Sequence, residues 1–92
     1  MSHLHADKSK LVARIRRLKG QLDAVERSLE AEADCGDTLQ LLASIRGALN
    51  GLTTELIETH IRNHVSDPDK DPDEDRAKGA RQLISVLKTY MK

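Results

Sequence analysis

Residues 11–29 read LVARIRRLKGQLDAVERSL. Within them Leu11, Ile15, Leu18, Leu22, Val25 and Leu29 follow one another at spacings of 4, 3, 4, 3 and 4. That repeat keeps apolar side chains on one side of an α-helix and lets helices pack along it. The spacing predicts a first helix from about Asp7 to about Glu32. Asp34, Gly36 and Asp37 break the pattern, and Asp34 or Asp37 is suited to cap the next helix. A second stripe of Leu39, Leu42, Ile45, Leu49, Leu52 and Leu56 predicts a second long helix, which Ile57 and Ile61 widen toward a further partner surface. Two long helices joined by so short a turn form an antiparallel hairpin.

Working outward, the segment 66–75 carries Pro68 and Pro72 among its acids and reads as an exposed acidic linker, because proline cannot continue a helix. A short third helix is predicted to begin near Asp73 to Arg76, with Leu83, Ile84, Val86, Leu87, Tyr90 and Met91 covering one side of it. Residues 1–6 read as a flexible N-terminal arm, and the chain 1–92 as a single all-α domain.

A domain of 92 residues with no Phe, no Trp and one tyrosine, Tyr90, has little with which to build a core. Its one cysteine rules out an intrachain disulfide. Oligomerisation is the natural remedy. The start of the chain carries His3, His5 and charges instead of an apolar run, and no segment approaches the ~18 apolar residues of a membrane span. The expectation is a soluble cytoplasmic protein with a reduced thiol and no membrane partner.

The formal net charge is zero, yet the signs are segregated. Lys8, Lys10, Arg14, Arg16, Arg17 and Lys19 lie together with no acid among them, whereas residues 67–75 hold six acids and only Lys70. Such asymmetry fits a basic binding face with an acidic segment elsewhere. Lys10, Arg14 and Arg17 share one helix face, and the hairpin brings Arg46 beside the middle of the first helix. With no Phe, Tyr or Trp in the basic stretch for base stacking, single-stranded nucleic acid is a poor partner. The phosphates of double-stranded DNA suit the patch better, and recognition would rest on the bundle surface and DNA shape, since no helix-turn-helix spacing is present.

The side chains with ligand chemistry are His3, His5, Cys35, His60 and His64. At i and i+4, His60 and His64 share a helix face at a separation of about 6 Å, suited to one metal ion. Cys35 lies 25 residues from His60, or about 37 Å along a helix, and cannot reach the same ion. The hairpin brings His3 near His60 and His64, and a second hairpin packed antiparallel brings its Cys35 into range. That dimer also buries the leftover apolar stripe as a four-helix bundle. Three imidazoles and one thiolate are too nitrogen-rich for Cu(I) and suit nickel, cobalt or zinc. If Met1 is removed, the α-amine of Ser2 and His5 are further donors, and a higher coordination number favours nickel or cobalt over tetrahedral zinc. Taken singly, each residue has a plainer reading: the His pair as a solvated feature, Cys35 as a small hydrophobe, the cations as a wet helix face. No nucleophile with a base, carboxylate pair or phosphate loop appears at useful spacing, so an enzyme is not expected.

The run Arg14 to Gln21, Cys35, the run Ile45-Arg46-Gly47-Ala48-Leu49-Asn50-Gly51-Leu52, and His60-Ile61-Arg62-Asn63-His64 resemble, over nearly the whole chain, the CsoR/RcnR family of metal- and aldehyde-sensing bacterial repressors. The resemblance implies a three-helix protomer, an antiparallel four-helix dimer and then a dimer of dimers, a homotetramer. It also implies that His3, Cys35, His60 and His64 occupy the four ligand positions, a set similar to the RcnR-type nickel and cobalt sensors. The copper branch has Cys where His64 stands. The formaldehyde-sensing branch relies on an N-terminal proline beside its cysteine, where this chain has Ser2. The implied function is repression of an efflux or detoxification gene, with operator DNA held by Lys10, Arg14, Arg17 and Arg46 and released on metal binding. The rivals are a formaldehyde-responsive repressor with Cys35 as nucleophile, and a structural coiled-coil adaptor.

Overall fold

A computed structural model describes residues 8–91. Three helices account for most of them: α1 (Lys8–Glu30), α2 (Cys35–His64) and α3 (Glu74–Tyr90), with no strand among the described residues. The expected all-α, three-helix protomer is what the chain forms.

α1 stops short of its expected end because the chain turns through a Schellman motif. Glu32 takes the left-handed conformation at φ 53°, its N–H donates to Leu29 O (3.2 Å), and Ala33 N–H reaches back to Ser28 O (3.0 Å). Those bonds satisfy carbonyls that a helix end otherwise leaves bare. Asp34 precedes α2 in extended geometry but makes no side-chain cap bond.

α1 and α2 run antiparallel, with Ser28 across from Thr38 and Arg14 across from Glu55. Leu18, Val25, Ile45 and Leu52 form the seam between them, flanked by Leu11, Leu41 and Leu56. A second, smaller cluster of Ile61, Ala80, Ile84 and Leu87 docks α3 onto the last turns of α2. The described part measures 57 × 28 × 12 Å, so the hairpin is about one helix thick.

That shape leaves apolar side chains uncovered. Ile15, Leu22 and Leu29 of α1 are 42%, 52% and 65% exposed, and Leu39, Leu42 and Leu49 of α2 are 59%, 43% and 49% exposed. No large side chain among the described residues is wholly buried. A contiguous uncovered stripe of this kind marks an interaction surface.

The acidic segment is more structured than its composition suggests. Ser66 and Pro68 are buried. Arg62 bonds Asp67 and Asp69 at 3.0 Å each, and Arg76 grips Asp71 through Nε (2.7 Å) and Nη2 (2.8 Å). Backbone N–H groups of Asp69, Asp73 and Arg76 donate to the carboxylates of Asp67, Asp71 and Asp73. The last of these is the N-cap of α3. Flanking arginines and main-chain donors match the negative charge, and the segment folds as a clasp between α2 and α3 instead of a free linker.

Candidate metal centre and nucleic-acid interface

α2 positions the ligand candidates. Cys35, Leu42, Leu49 and Leu56 recur every seven residues, and Leu39, Arg46, Thr53 and His60 recur between them. Seven residues are close to two full helical turns, so both rows lie along one side of α2. Cys35 therefore opens a ridge that His60 and His64 close, with the exposed Leu39, Leu42 and Leu49 between.

The imidazoles of His60 and His64 stand with ring centroids 4.9 Å apart and planes tilted by 38°, and both residues are exposed. Two adjacent, solvent-reachable imidazoles on consecutive turns fit a shared metal ion. Cys35 is exposed as well, but it begins the helix that His64 ends, and within one chain it does not join the pair. Among the described residues no three of His, Cys, Asp and Glu come together as a metal site. Antiparallel packing puts the start of α1 at the end of the hairpin that carries His60 and His64. His3, His5 and Ser2 lie outside the described residues.

Two residues before His60, and on the other side of α2, Glu58 accepts from Arg62 (3.0 Å) and from Lys88 of α3 (3.1 Å). Partial desolvation pushes the Glu58 carboxyl up, but Lys88 and Arg62 outweigh it and leave the group more acidic than usual. Asp71 is held well below the ordinary carboxylate range, first by the Arg76 guanidinium and then by the Ser66 hydroxyl and the Asp73 N–H. The Glu58–Lys88 pair ties α3 to the end of α2 that carries the imidazoles, and the Asp71–Arg76 pair ties the intervening segment to α3.

The other side of the hairpin is built differently. Relative to Leu18, the positions of Arg14, Arg17 and Gln21 wind one way around α1 and those of Ile15 and Leu22 the other. Arg14, Arg17, Leu18, Gln21 and Ala48 line a shallow hollow there. Arg14 pairs with Glu55, and its Nη2 lies 3.8 Å from where a Gly51 side chain would begin. The Gln21 side-chain oxygen is buried with no hydrogen-bond partner. Lys10 and Arg17 are exposed. Arg46 is exposed too, but it follows Leu42 by four residues and precedes Leu49 by three, so it shares the ridge side of α2 and not the side of Ala48 and Gly51. The structure thus brings Arg14 and Arg17 together and leaves Arg46 on the opposite side of its protomer.

Glu55 and Gln21 were not singled out as functional positions by sequence reasoning. Hairpin register offered a signal for the first, since it sets Arg14 opposite the turn of α2 that contains Glu55. Nothing in the spacing marks Gln21 as an unpaired buried polar group.

A thin helical hairpin with paired imidazoles at one end and arginines across its back has the build of a small ligand-sensing regulator. The chain belongs to the metal-sensitive transcriptional repressor family, the CsoR/RcnR group, whose profile matches residues 7–89. It is a family of repressors, not of enzymes. A protein described as an uncharacterized protein in the bioA 5' region of Serratia marcescens is 47% identical over 92 residues, all of both chains. A transcriptional repressor RcnR homolog from Escherichia coli O139:H28 (strain E24377A / ETEC) is 44% identical over 61 residues, 66% of this chain and 68% of that one. Among solved structures, a variant of the formaldehyde-responsive regulator FrmR from Salmonella enterica serovar Typhimurium superposes with a TM-score of 0.66 at 34% identity, covering 99% of this chain and all of the other. No helix among the described residues is long and apolar enough to cross a membrane.

Proposed function

We propose that the protein is a cytoplasmic nickel- or cobalt-responsive repressor that holds operator DNA in its metal-free form and releases it when the ion binds, freeing an efflux or detoxification gene. The reading rests on one observation: Cys35, His60 and His64 occupy the two ends of the same α2 ridge whose middle is an uncovered apolar stripe. A second copy laid antiparallel on that stripe covers the leucines and sets its Cys35 against His60 and His64 of the first. Core completion and ligand convergence then ask for one assembly, and two such dimers form the homotetramer the family resemblance implies.

His60 and His64 would hold the ion together with His3 of the same chain and Cys35 of the second copy, with His5 and the Ser2 amine as further donors. A bound nickel or cobalt ion supplies coordination bonds that link the two protomers, and zinc is compatible with the four-ligand set. Lys10, Arg14, Arg17 and Arg46 meet DNA phosphates. Arg46 shares the ridge with Leu42 and Leu49, so in the paired assembly its long side chain would have to reach phosphate from the margin of the covered stripe, apart from the Arg14 and Arg17 hollow. A coupling of about 1 to 3 kcal/mol between metal and DNA would weaken DNA binding roughly 5- to 150-fold.

The test titrates reduced full-length protein with Ni(II), Co(II), Zn(II) and Cu(I), following absorbance and duplex DNA binding together. Tight Ni(II) or Co(II) binding with loss of DNA supports the reading. Metal uptake that leaves DNA binding unchanged defeats it.

A second reading is a formaldehyde-responsive repressor, favoured by the exposed Cys35 thiol and by the likeness to a formaldehyde-responsive regulator. There the Cys35 thiolate attacks formaldehyde and a neighbouring amine closes a methylene bridge with loss of water. Mass spectrometry separates the two, since the net gain of a single carbon (formaldehyde added, water lost) that disappears in Cys35→Ala belongs to this reading alone.

A further inference from the structure

The two arginines of the back hollow are in different states. Arg17 lines it with no ion pair among the described residues, while Arg14 is engaged by the Glu55 carboxylate. The Arg14 guanidinium reaches across the interhelical groove past Gly51, its Nη2 3.8 Å from where a side chain at that position would begin, and meets Glu55 at the surface, where the two side chains remain 37% and 52% exposed. A carboxylate and a phosphodiester present the same kind of acceptor to a guanidinium: anionic, oxygen-edged and suited to its fork of N–H donors.

From this we infer that Glu55 is an internal competitor of DNA: its carboxylate occupies Arg14 as a phosphate would, and a phosphate must displace it before Arg14 contributes to DNA binding. The inference deepens the DNA-binding reading above and rests on it. The pair is open to solvent, where an ion pair is weak enough to exchange. It therefore acts as a brake on affinity and not as a block. Arg17, without such a partner, is available to phosphate throughout. DNA affinity in this protein is then set below what its cations alone would provide, within the range where a ligand-driven release is effective.

The experiment measures binding of metal-free, full-length protein to a fluorescently labelled random-sequence duplex over a series of salt concentrations. Four proteins are compared: wild type, Glu55→Gln, Arg14→Ala and the double variant, with circular dichroism checking that each is folded. Glu55→Gln keeps the side-chain size and removes the charge. It is expected to bind about two- to fivefold more tightly at every salt concentration, with a log–log salt slope close to that of wild type, because both complexes make the same Arg14–phosphate contact once the carboxylate is displaced. In the Arg14→Ala background the same substitution should bring no gain. Unchanged affinity in Glu55→Gln overturns the competition while leaving DNA binding itself intact. An equal gain with and without Arg14 also overturns it, because the effect would then be general charge. A wild type that binds no duplex at all, at any salt, removes the DNA-binding reading and this inference with it.

Discussion

The hydroxyls of Ser28 and Thr38 share a 2.6 Å hydrogen bond that joins α1 to α2 just inside the turn. Thr38 is buried at 7% exposure, and its hydroxyl also lies 3.5 Å from Asp34 O. Replacing Thr38 by Val keeps the shape and leaves the Ser28 hydroxyl without its partner. The expected cost is about 1 to 2 kcal/mol in urea unfolding. Adding Ser28→Ala should recover part of it, because the orphaned group is then gone.

Asp71 links acid stability to the docking of α3. Its carboxyl is depressed in the folded chain, so the stability it confers is present above the ordinary carboxylate pKa, near 4, and is lost as pH falls below that value toward the folded one. Glu58 is shifted in the same direction and adds to the effect. Unfolding midpoints measured from about pH 7 down to pH 3 should fall through the acid end of that range. In Asp71→Asn the protein should start from a lower midpoint and lose less on acidification.

Glu32 holds a backbone conformation that suits glycine, and its side chain is exposed. Glu32→Gly should raise stability by about 0.5 to 1 kcal/mol, the relief of left-handed strain less the added freedom of the unfolded chain. A lower thermal midpoint in Glu32→Gly would mean that the strain is not there to relieve.

Leu42 stands on the uncovered ridge between Cys35 and His60. Burying a glutamate against a second copy is strongly unfavourable, so Leu42→Glu should sediment as a monomer while keeping its helical circular dichroism. Its Ni(II) affinity should drop as well, because Cys35 of the second copy is no longer at hand. Undiminished metal binding by a monomer would remove the intersubunit site.

His64→Leu should abolish the Ni(II) or Co(II) response and leave metal-free DNA binding at the wild-type level, as read by fluorescence anisotropy. The substitution takes away one imidazole of the pair at 4.9 Å and alters none of the residues that line the Arg14 and Arg17 hollow.

Helices, turn and hairpin were legible because apolar period and breaking residues act locally. The partition of each stripe was not. Leu11, Leu18 and Val25 turn toward α2, while Ile15, Leu22 and Leu29 turn outward, yet all six fit one repeat. Period records that a side chain is apolar, not which of two neighbours it meets. In α3 the docking surface uses Ala77 and Ala80 alongside Ile84, and alanines carry little weight in a hydrophobic pattern, whereas Leu83, Val86 and Tyr90 stay exposed. The acids after Ser66 resembled a solvated tract because their partners, Arg62 and Arg76, belong to the flanking helices. His60 and His64 were legible as a pair from their spacing alone. The engagement of Arg14 by Glu55 depends on the interhelical register and emerges only in three dimensions.

A plate 12 Å deep has no interior in which a displacement can dissipate. In the proposed assembly α1 and α2 would each face a second copy on one side and carry cations on the other, so a small roll imposed from one side would reappear on the other with little between to soften it. Under the proposed function that thinness, more than any dedicated relay of residues, would let so short a polypeptide report on one surface what has happened at the opposite one.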